Sequence, residues 1–325
     1  MGDPALNEDS QQKPSKGWLG DRPGRSLLRI GAALLGTALA GTVLATVWPK
    51  PDPAGADVQS SEGSLSLAPL PEQSVMVLVV GLDADTVNAT SNKAAPLGAS
   101  NADSLMLVNI GAKQPVQVLQ LPTELAVQLP GIEEMQALST TWRHGGIALM
   151  SDVVGELIEL PVNKPDRYLV LSRQSLRRFI EGLGDIEVTL NQTYKYEDKS
   201  QGYSVNLQAG LQTLNGAQAE QLARHKPKPN DDNQRRARQR LLLQGVHQQL
   251  ADIDAVTVVP ELLNVFSNQV TTDISATEML SLMTAAISAP TPPVITELPL
   301  APRSGQQRLR ELKPDLILPL WPTQN

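Results

Sequence analysis

Residues Ile30 to Trp48 form nineteen consecutive positions without a charged side chain. At the helical rise such a run spans about 28 Å, close to the roughly 30 Å hydrocarbon core of a bilayer. It has to be buried, and its many Ala and Gly residues leave no amphipathic stripe for docking on a globular core. One membrane crossing over residues 30–48 is predicted. Lys13, Lys16, Arg22, Arg25 and Arg29 precede it, and basic residues beside a first apolar segment hold that end in the cytoplasm. Residues 1–29 are then cytoplasmic, and the rest of the chain is extracytoplasmic, tethered to the plasma (inner) membrane. Small residues around Thr37 to Gly41 also permit a cleaved signal peptide, and either arrangement exports the bulk of the chain. Residues 49–73, rich in Pro, Ser, Gly and Asp, read as a flexible linker.

The exported part has the composition of a folded protein, since 41% hydrophobic and 19% charged residues over 325 positions exclude disorder throughout. The absence of cysteine removes disulfides, thiolate metal sites and cysteine nucleophiles. Val75 to Val80 is a continuous apolar, β-branched run closed by Gly81, the pattern of a strand covered on both faces. Leu105 to Ile110, Val116 to Leu121, Arg167 to Leu171 and Ile186 to Leu190 read as further strands. Helical spacing marks Gly145 to Leu160, Gln174 to Glu181, Asn215 to His225, Asp232 to Leu250 and Ala276 to Ile287, with a further helical segment near Pro260 to Phe266. This mixture predicts an α/β domain over residues 74–290, a central sheet with packed helices, followed by a Pro-rich tail over 291–325 that completes or flanks it.

The chain carries 27 basic and 34 acidic residues, for a net charge of −7, so it is no generic nucleic-acid binder, and an anionic ligand has to be met locally. The segment from Arg224 to Arg240 provides that local charge. It holds seven basic residues (Arg224, Lys226, Lys228, Arg235, Arg236, Arg238 and Arg240) against Asp231 and Asp232. A helix over Asp232 to Leu250 aligns Arg235 with Gln239, Leu242, Val246 and Leu250, so Arg235 continues the stripe that packs inward. An arginine in such a stripe either snorkels or lines a cleft, and converging guanidinium groups suit a phosphate or diphosphate. Asp231 or Asp232 is available to cap the helix.

In chain order, "VLVVGLD" (77–83), "NADSLMLVNI" (101–110), "VLQLPTE" (118–124), "LNGAQAEQLARHK" (214–226) and "DNQRRARQ" (232–239) resemble the extracytoplasmic LytR-CpsA-Psr domain. Asp232-x-x-Arg235-x-x-Arg238-Gln239, following Leu-Asn-Gly and Arg224, is the most specific piece. The resemblance implies a three-layer α/β/α sandwich with an apolar groove for a lipid tail. It also implies a membrane-anchored phosphotransferase that moves a glycopolymer from a polyprenyl-pyrophosphate carrier to a cell-wall or surface-polysaccharide acceptor. On that resemblance Asp83 and Asp103 hold Mg²⁺ (or Mn²⁺), with Asp103 also counted among the catalytic residues. Arg224, Arg235 and Arg238 bind the phosphates and stabilise charge as the phosphoanhydride breaks, and Lys226 and Gln239 assist.

Several positions depart from the family pattern. Asn101-Ala102-Asp103 stands where Arg-Ser-Asp is usual, Pro122-Thr123-Glu124 where Pro-Arg-Asp is usual, and Asp85 lies where a basic residue is common. Two phosphate-binding arginines are therefore absent from those positions, and Arg143, in the loop before Gly145-Gly146, is the candidate substitute. The same residues also serve a member that binds polyprenyl-linked glycans without turnover, or a lipid-pyrophosphate hydrolase with water as acceptor. His144, His225 and His247 show neither metal-ligand nor triad spacing.

Overall fold

The computed structural model describes residues 68–318 apart from 90–97, 199–202, 229, 253–257, 261, 264–265, 267–268 and 306. The predicted membrane crossing at 30–48, the N-terminal segment and most of the linker lie outside the described residues. Among the described residues no helix is long and apolar enough to cross a membrane.

The chain runs β1 (Val75–Leu82), β2 (Ala102–Ile110), β3 (Gln117–Leu121), two short strands β4 (Ala126–Val127) and β5 (Gln136–Ala137), and α1 (Thr141–Leu157). It continues through β6 (Arg167–Leu171), α2 (Arg173–Gly182), β7 (Ile186–Leu190), β8 (Tyr194–Asp198), β9 (Tyr203–Leu207), β10 (Gly210–Leu214) and α3 (Gly216–Arg224). The last elements are α4 (Asp232–Asp252), β11 (Val270–Thr272), α5 (Ala276–Ile287) and β12 (Val294–Glu297). Six strands form a mixed sheet in the order β11-β6-β1-β2-β3-β12. β1 lies parallel to β6 and antiparallel to β2, and β12 lies parallel to β3.

Both faces of β1 are buried, as its unbroken apolar run requires. Met76, Leu78, Val80 and Leu82 pack with Met150, Val153 and Val154 of α1, while Val77 and Val79 pack with Ile274 and with Leu282 of α5. A second core joins α2, α3 and α4 to strands β7–β10 through Ile180, Ile186, Val188, Leu214, Leu222 and Leu242.

The structure departs from the sequence reading in places with local causes. The helix expected from Gly145 begins at Thr141, because its apolar periodicity starts only after a break at Gly145-Gly146. Gly146 has φ +59° and ψ −148°, a conformation that an L side chain rarely adopts. Arg143 therefore belongs to the first turn of α1, not to a loop. The β8–β9 hairpin, β10 and β11 have no counterpart in the sequence reading, and β12 adds a sheet edge from within the Pro-rich tail.

Two glycines set close approaches that matter for the site. β1 and β2 lose register at Gly81/Leu82, where Gly81 faces Ser104 and Leu82 faces Ala102, so Asp103 is the extra residue of a β-bulge. A Cβ on Gly81 would stand 3.2 Å from Ser104 Cβ. Gly216 opens α3, capped by Asn215, whose Oδ1 accepts from Gln218 N at 2.9 Å. A Cβ on Gly216 would lie 2.2 Å from the carbonyl oxygen of Arg177, so α3 seats against α2 only with glycine there. Gly216→Ala should therefore lower stability by about 1–3 kcal/mol through forced separation of the two helices; urea denaturation unchanged from wild type would refute this seating.

Candidate functional site

The site begins where β1 ends. Asp83 is buried, its N–H donates to Asn101 O at 3.0 Å, and its carboxylate accepts from Asn101 N at 2.8 Å and Asn101 Nδ2 at 3.3 Å. Burial first, and the charge of neighbouring Asp103 second, push its carboxyl above the usual carboxylate range. Asp103, displaced by the bulge, accepts from Arg235 Nη1 at 2.8 Å. Two carboxylates that feel each other's charge are a donor set for a hard divalent cation. Among the described residues no cluster of three or more His, Cys, Asp or Glu side chains is placed to hold a metal. A site of two carboxylates is the kind at which Mg²⁺ binds through one or two carboxylates, with water and substrate phosphate completing its oxygen shell.

Helix α4 brings its arginines against this edge of the sheet. Arg235 is buried, as the stripe through Leu242 predicted, and donates from Nη2 to Thr123 Oγ1 at 2.9 Å and to Asp232 Oδ1 at 3.4 Å. Asp232 also accepts from Lys226 Nζ at 2.5 Å, so one carboxylate ties both cations in place. Gln239 donates to Asp103 O at 3.5 Å and Ala223 O at 3.4 Å and accepts from Ser104 Oγ at 3.4 Å. Arg236, which the sequence reading assigned no role, is buried: Nη1 donates to both oxygens of Glu124 at 2.8 Å, and Nε to Glu297 of β12 at 2.7 Å.

The family-pattern departures acquire partners. Asn101 braces Asp83 and accepts from Arg143, whose charge also reaches Asp83. Thr123 receives Arg235, and Glu124 receives Arg236. Arg238 goes elsewhere. It is 2% exposed, donates to His225 O, lies 5.4 Å from the Tyr194 ring centroid, and lines a separate depression with Asn191 and Gln192. Although residues three apart share a broad helix face, Arg238 is turned toward the β8–β9 hairpin rather than toward Asp103.

Beside Asp103 a largely apolar cleft opens between the sheet and helices α2–α4. Val79, Met106, Val108, Phe179, Leu242 and Val246 make its walls apolar, while Asp103, Arg173, Glu220, Arg224 and Gln239 line its polar part. Arg224 donates to Glu220 at 3.0 Å and lies 4.8 Å from the Tyr203 ring centroid. Arg173 is a further cationic residue of the lining, and Arg177 stands beside it on Asp85 and Glu220. The two arginines are one helical turn apart on α2 and share a face with Leu176 and Ile180, which was the available signal.

These features define a mixed α/β protein with a carboxylate pair, buried arginines and an apolar cleft converging at one end of a central sheet. The LytR_cpsA_psr family model matches residues 51–297, and the chain belongs to that family. The Enterococcus faecalis (strain ATCC 700802 / V583) polyisoprenyl-teichoic acid–peptidoglycan teichoic acid transferase TagU is 28% identical over 204 residues, covering 62% of each chain. The protein of the same name from Bacillus licheniformis is 27% identical over 180 residues, covering 55% of this chain and 56% of its own. The chain thus spans less than two thirds of the length of these relatives. The fold is shared with B. subtilis TagV (TM-score 0.61, 19% identity, 76% of this chain and 92% of that one). It is also shared with a LytR-Csp2A-Psr enzyme from Actinomyces oris (TM-score 0.58, 18% identity, 76% and 92%) and with TagT bound to LIIa-WTA (0.56, 19%, 74% and 84%).

Two predictions follow from the buried charges. Removing Glu124 leaves Arg236 Nη1 without a partner while Glu297 still pairs the charge, so Glu124→Ala should cost about 1–3 kcal/mol in urea denaturation, and an unchanged stability would show that Arg236 Nη1 finds solvent. His225, packed against Tyr194 and Tyr196, has its pKa lowered by burial and then by the Arg238 charge. The unfolded chain therefore takes up this proton near pH 6.5 before the folded chain does, and stability drops as pH falls through that value. His225→Gln should lose less stability than wild type between pH 7.5 and 5.5, and equal losses would remove His225 from the acid response.

Proposed function

We propose that the chain is a membrane-anchored phosphotransferase that moves a glycopolymer from a polyprenyl-pyrophosphate carrier to a cell-wall or surface-polysaccharide acceptor, outside the plasma (inner) membrane. The observation that carries this reading is the juxtaposition of an apolar cleft with Asp103, Arg224 and Gln239 at its polar part, Asp103 being paired in turn with Arg235. A prenyl chain needs the first and a diphosphate the second. The transferase activity for which the TagU relatives are named supports the same reaction class, and the uncharged run at 30–48 supplies the anchor.

In the reaction an acceptor hydroxyl oxygen attacks the glycan-side phosphorus. The P–O bond of the phosphoanhydride breaks, prenyl monophosphate leaves with the bonding electrons, and the hydroxyl proton is released. Asp83 and Asp103 would hold the divalent cation, and the cation would supply charge neutralisation on the diphosphate. Arg224 and Arg235 meet the phosphoryl oxygens from the α3 and α4 sides, and their guanidinium groups stabilise the charge that passes to the leaving phosphate. Gln239, hydrogen-bonded to the Asp103 carbonyl, orients this edge of the site. Lys226 keeps Asp232 and hence Arg235 in register. Arg143 steadies Asn101 and through it Asp83. Arg238 acts as a positioning residue, holding the carbonyl next to Arg224.

The test is Mg²⁺-dependent cleavage of a short prenyl-pyrophosphate-linked glycan by the full chain. Asp103→Ala and Arg235→Ala should each lower kcat/KM by about 10²-fold or more, and chelation of the metal should abolish turnover. Transfer to a saccharide acceptor rather than to water identifies a transferase. Retained turnover in both variants would sink this assignment, and tight binding with no turnover in wild type would make the chain a binding protein.

A further inference from the structure

We infer that Arg173, backed by Arg177, is a second phosphoryl-binding element of the cleft, and that the carboxylate of Asp85 is an internal anion which the ligand's phosphate displaces. The inference rests on the prenyl-pyrophosphate reading above and extends its ligand set to a helix that reading does not use.

Arg173 opens α2 and lines the cleft with its side chain only 13% exposed. Its position next to the carboxylate pair is built into the backbone: Arg173 N donates to Ala84 O at 2.9 Å and Gln174 N to Asp85 O at 3.3 Å. The first turn of α2 is thereby fastened to the residues that directly follow Asp83. A guanidinium largely withdrawn from water needs negative partners. Glu220, itself buried, is one, but at 3.8 Å from Arg173 Nη1 it makes an ion pair rather than a hydrogen bond. Among the described residues Arg173 Nε has no hydrogen-bond partner.

The close partner is Asp85. Its Oδ1 stands 2.8 Å from Arg173 Nη2 and 3.0 Å from Arg177 Nη2, so two guanidinium groups converge on one oxygen. That is the arrangement a phosphoryl oxygen seeks, and a phosphate brings more charge and more acceptors than a carboxylate. The Asp85 side chain is 55% exposed, and an exposed carboxylate contributes little to an ion pair and returns to water at small cost. Arg177 is also held by Glu220 at 3.0 Å, and Glu220 holds Arg224 at the same distance. Three arginines thus gather around two carboxylates, leaving net positive charge beside Asp103. Arg173 and Arg224, both paired with Glu220, and Arg235, paired with Asp103, then offer guanidinium groups from three helices to one diphosphate.

The experiment is equilibrium binding to the full chain in detergent, with geranylgeranyl pyrophosphate, geranylgeraniol and inorganic pyrophosphate as probes, alongside thermal unfolding of every variant. Arg173→Ala should weaken geranylgeranyl pyrophosphate about 10- to 100-fold, with Arg173→Lys between it and wild type, and geranylgeraniol should bind both variants as it binds wild type. Asp85→Asn should tighten the pyrophosphate about 3- to 10-fold, because the competing charge is gone. A purely structural Asp85–Arg173 tie moves the other way, with Asp85→Asn losing thermal stability and gaining no affinity, and that result overturns the inference. Equal pyrophosphate affinity in wild type and Arg173→Lys overturns it too, even where Arg173→Ala fails to fold. Inorganic pyrophosphate binding as tightly as the prenyl form would overturn the lipid-linked part of the claim. Failure of wild type to bind any pyrophosphate would instead remove the underlying reading.

Discussion

Two adjacent arginines buried on one helix hold this structure to its site. Arg235 and Arg236 leave α4 in neighbouring directions and each finds carboxylates from the sheet: Asp103 with Thr123 for the first, Glu124 and Glu297 for the second. Placing two cations in a protein interior is costly unless each is paired and hydrogen-bonded, so α4 has one seating that satisfies both. That seating brings Glu297 of β12, Glu124 beyond β3 and Asp103 of β2 to a common helix. It makes the sheet edge and the polar part of the cleft parts of one electrostatic assembly.

The two arginines divide the labour. Arg236 has both carboxylate partners at hydrogen-bond distance and is a fastening. Arg235 meets Asp103, a residue that a bulge has pushed out of regular pairing and that also borders the cleft. The same bulge explains why Gly81 precedes Leu82-Asp83: a side chain there would press on Ser104 and disturb the crossing of β1 and β2. Asp83 and Asp103 are therefore aligned by backbone geometry, and their mutual repulsion is kept in place by Asn101, Arg143 and Arg235 around them.

Positive charge reaches the neighbourhood of the carboxylate pair from several elements. Asn101 and Thr123 accept hydrogen bonds from arginines supplied by α1 and α4. Asp85 faces a pair of arginines on α2.

Much of this was legible in the linear pattern. The β1 run, the strands at Arg167–Leu171 and Ile186–Leu190, and the helix Ala276–Ile287 follow from hydrophobic periodicity, and the inward turn of Arg235 follows from its helical spacing to Leu242. The β8–β9 hairpin does alternate, Tyr194, Tyr196, Tyr203, Val205 and Leu207 against Lys195, Glu197, Ser204 and Asn206, but each strand has only five residues, too short a window to stand out from loop. β12 was missed because four residues beside prolines carry no local signal, and what makes them a strand is the free edge of β3.

What the sequence by itself determined is the set of elements, the local charge of the α3–α4 region and the family, because periodicity, charge and motif order are local or collinear properties. Only the tertiary structure decided which arginine faces which carboxylate. Arg235 and Arg238 are both three-spaced members of one basic helix, yet one meets Asp103 and the other turns to Tyr194 and His225. Arg173 reaches the cleft, with Arg177 behind it on Asp85, because glycine at 216 lets α3 close on α2. Pairings across 130 residues are set by how helices seat on the sheet, and that is a property of packing and desolvation that no short window of sequence contains.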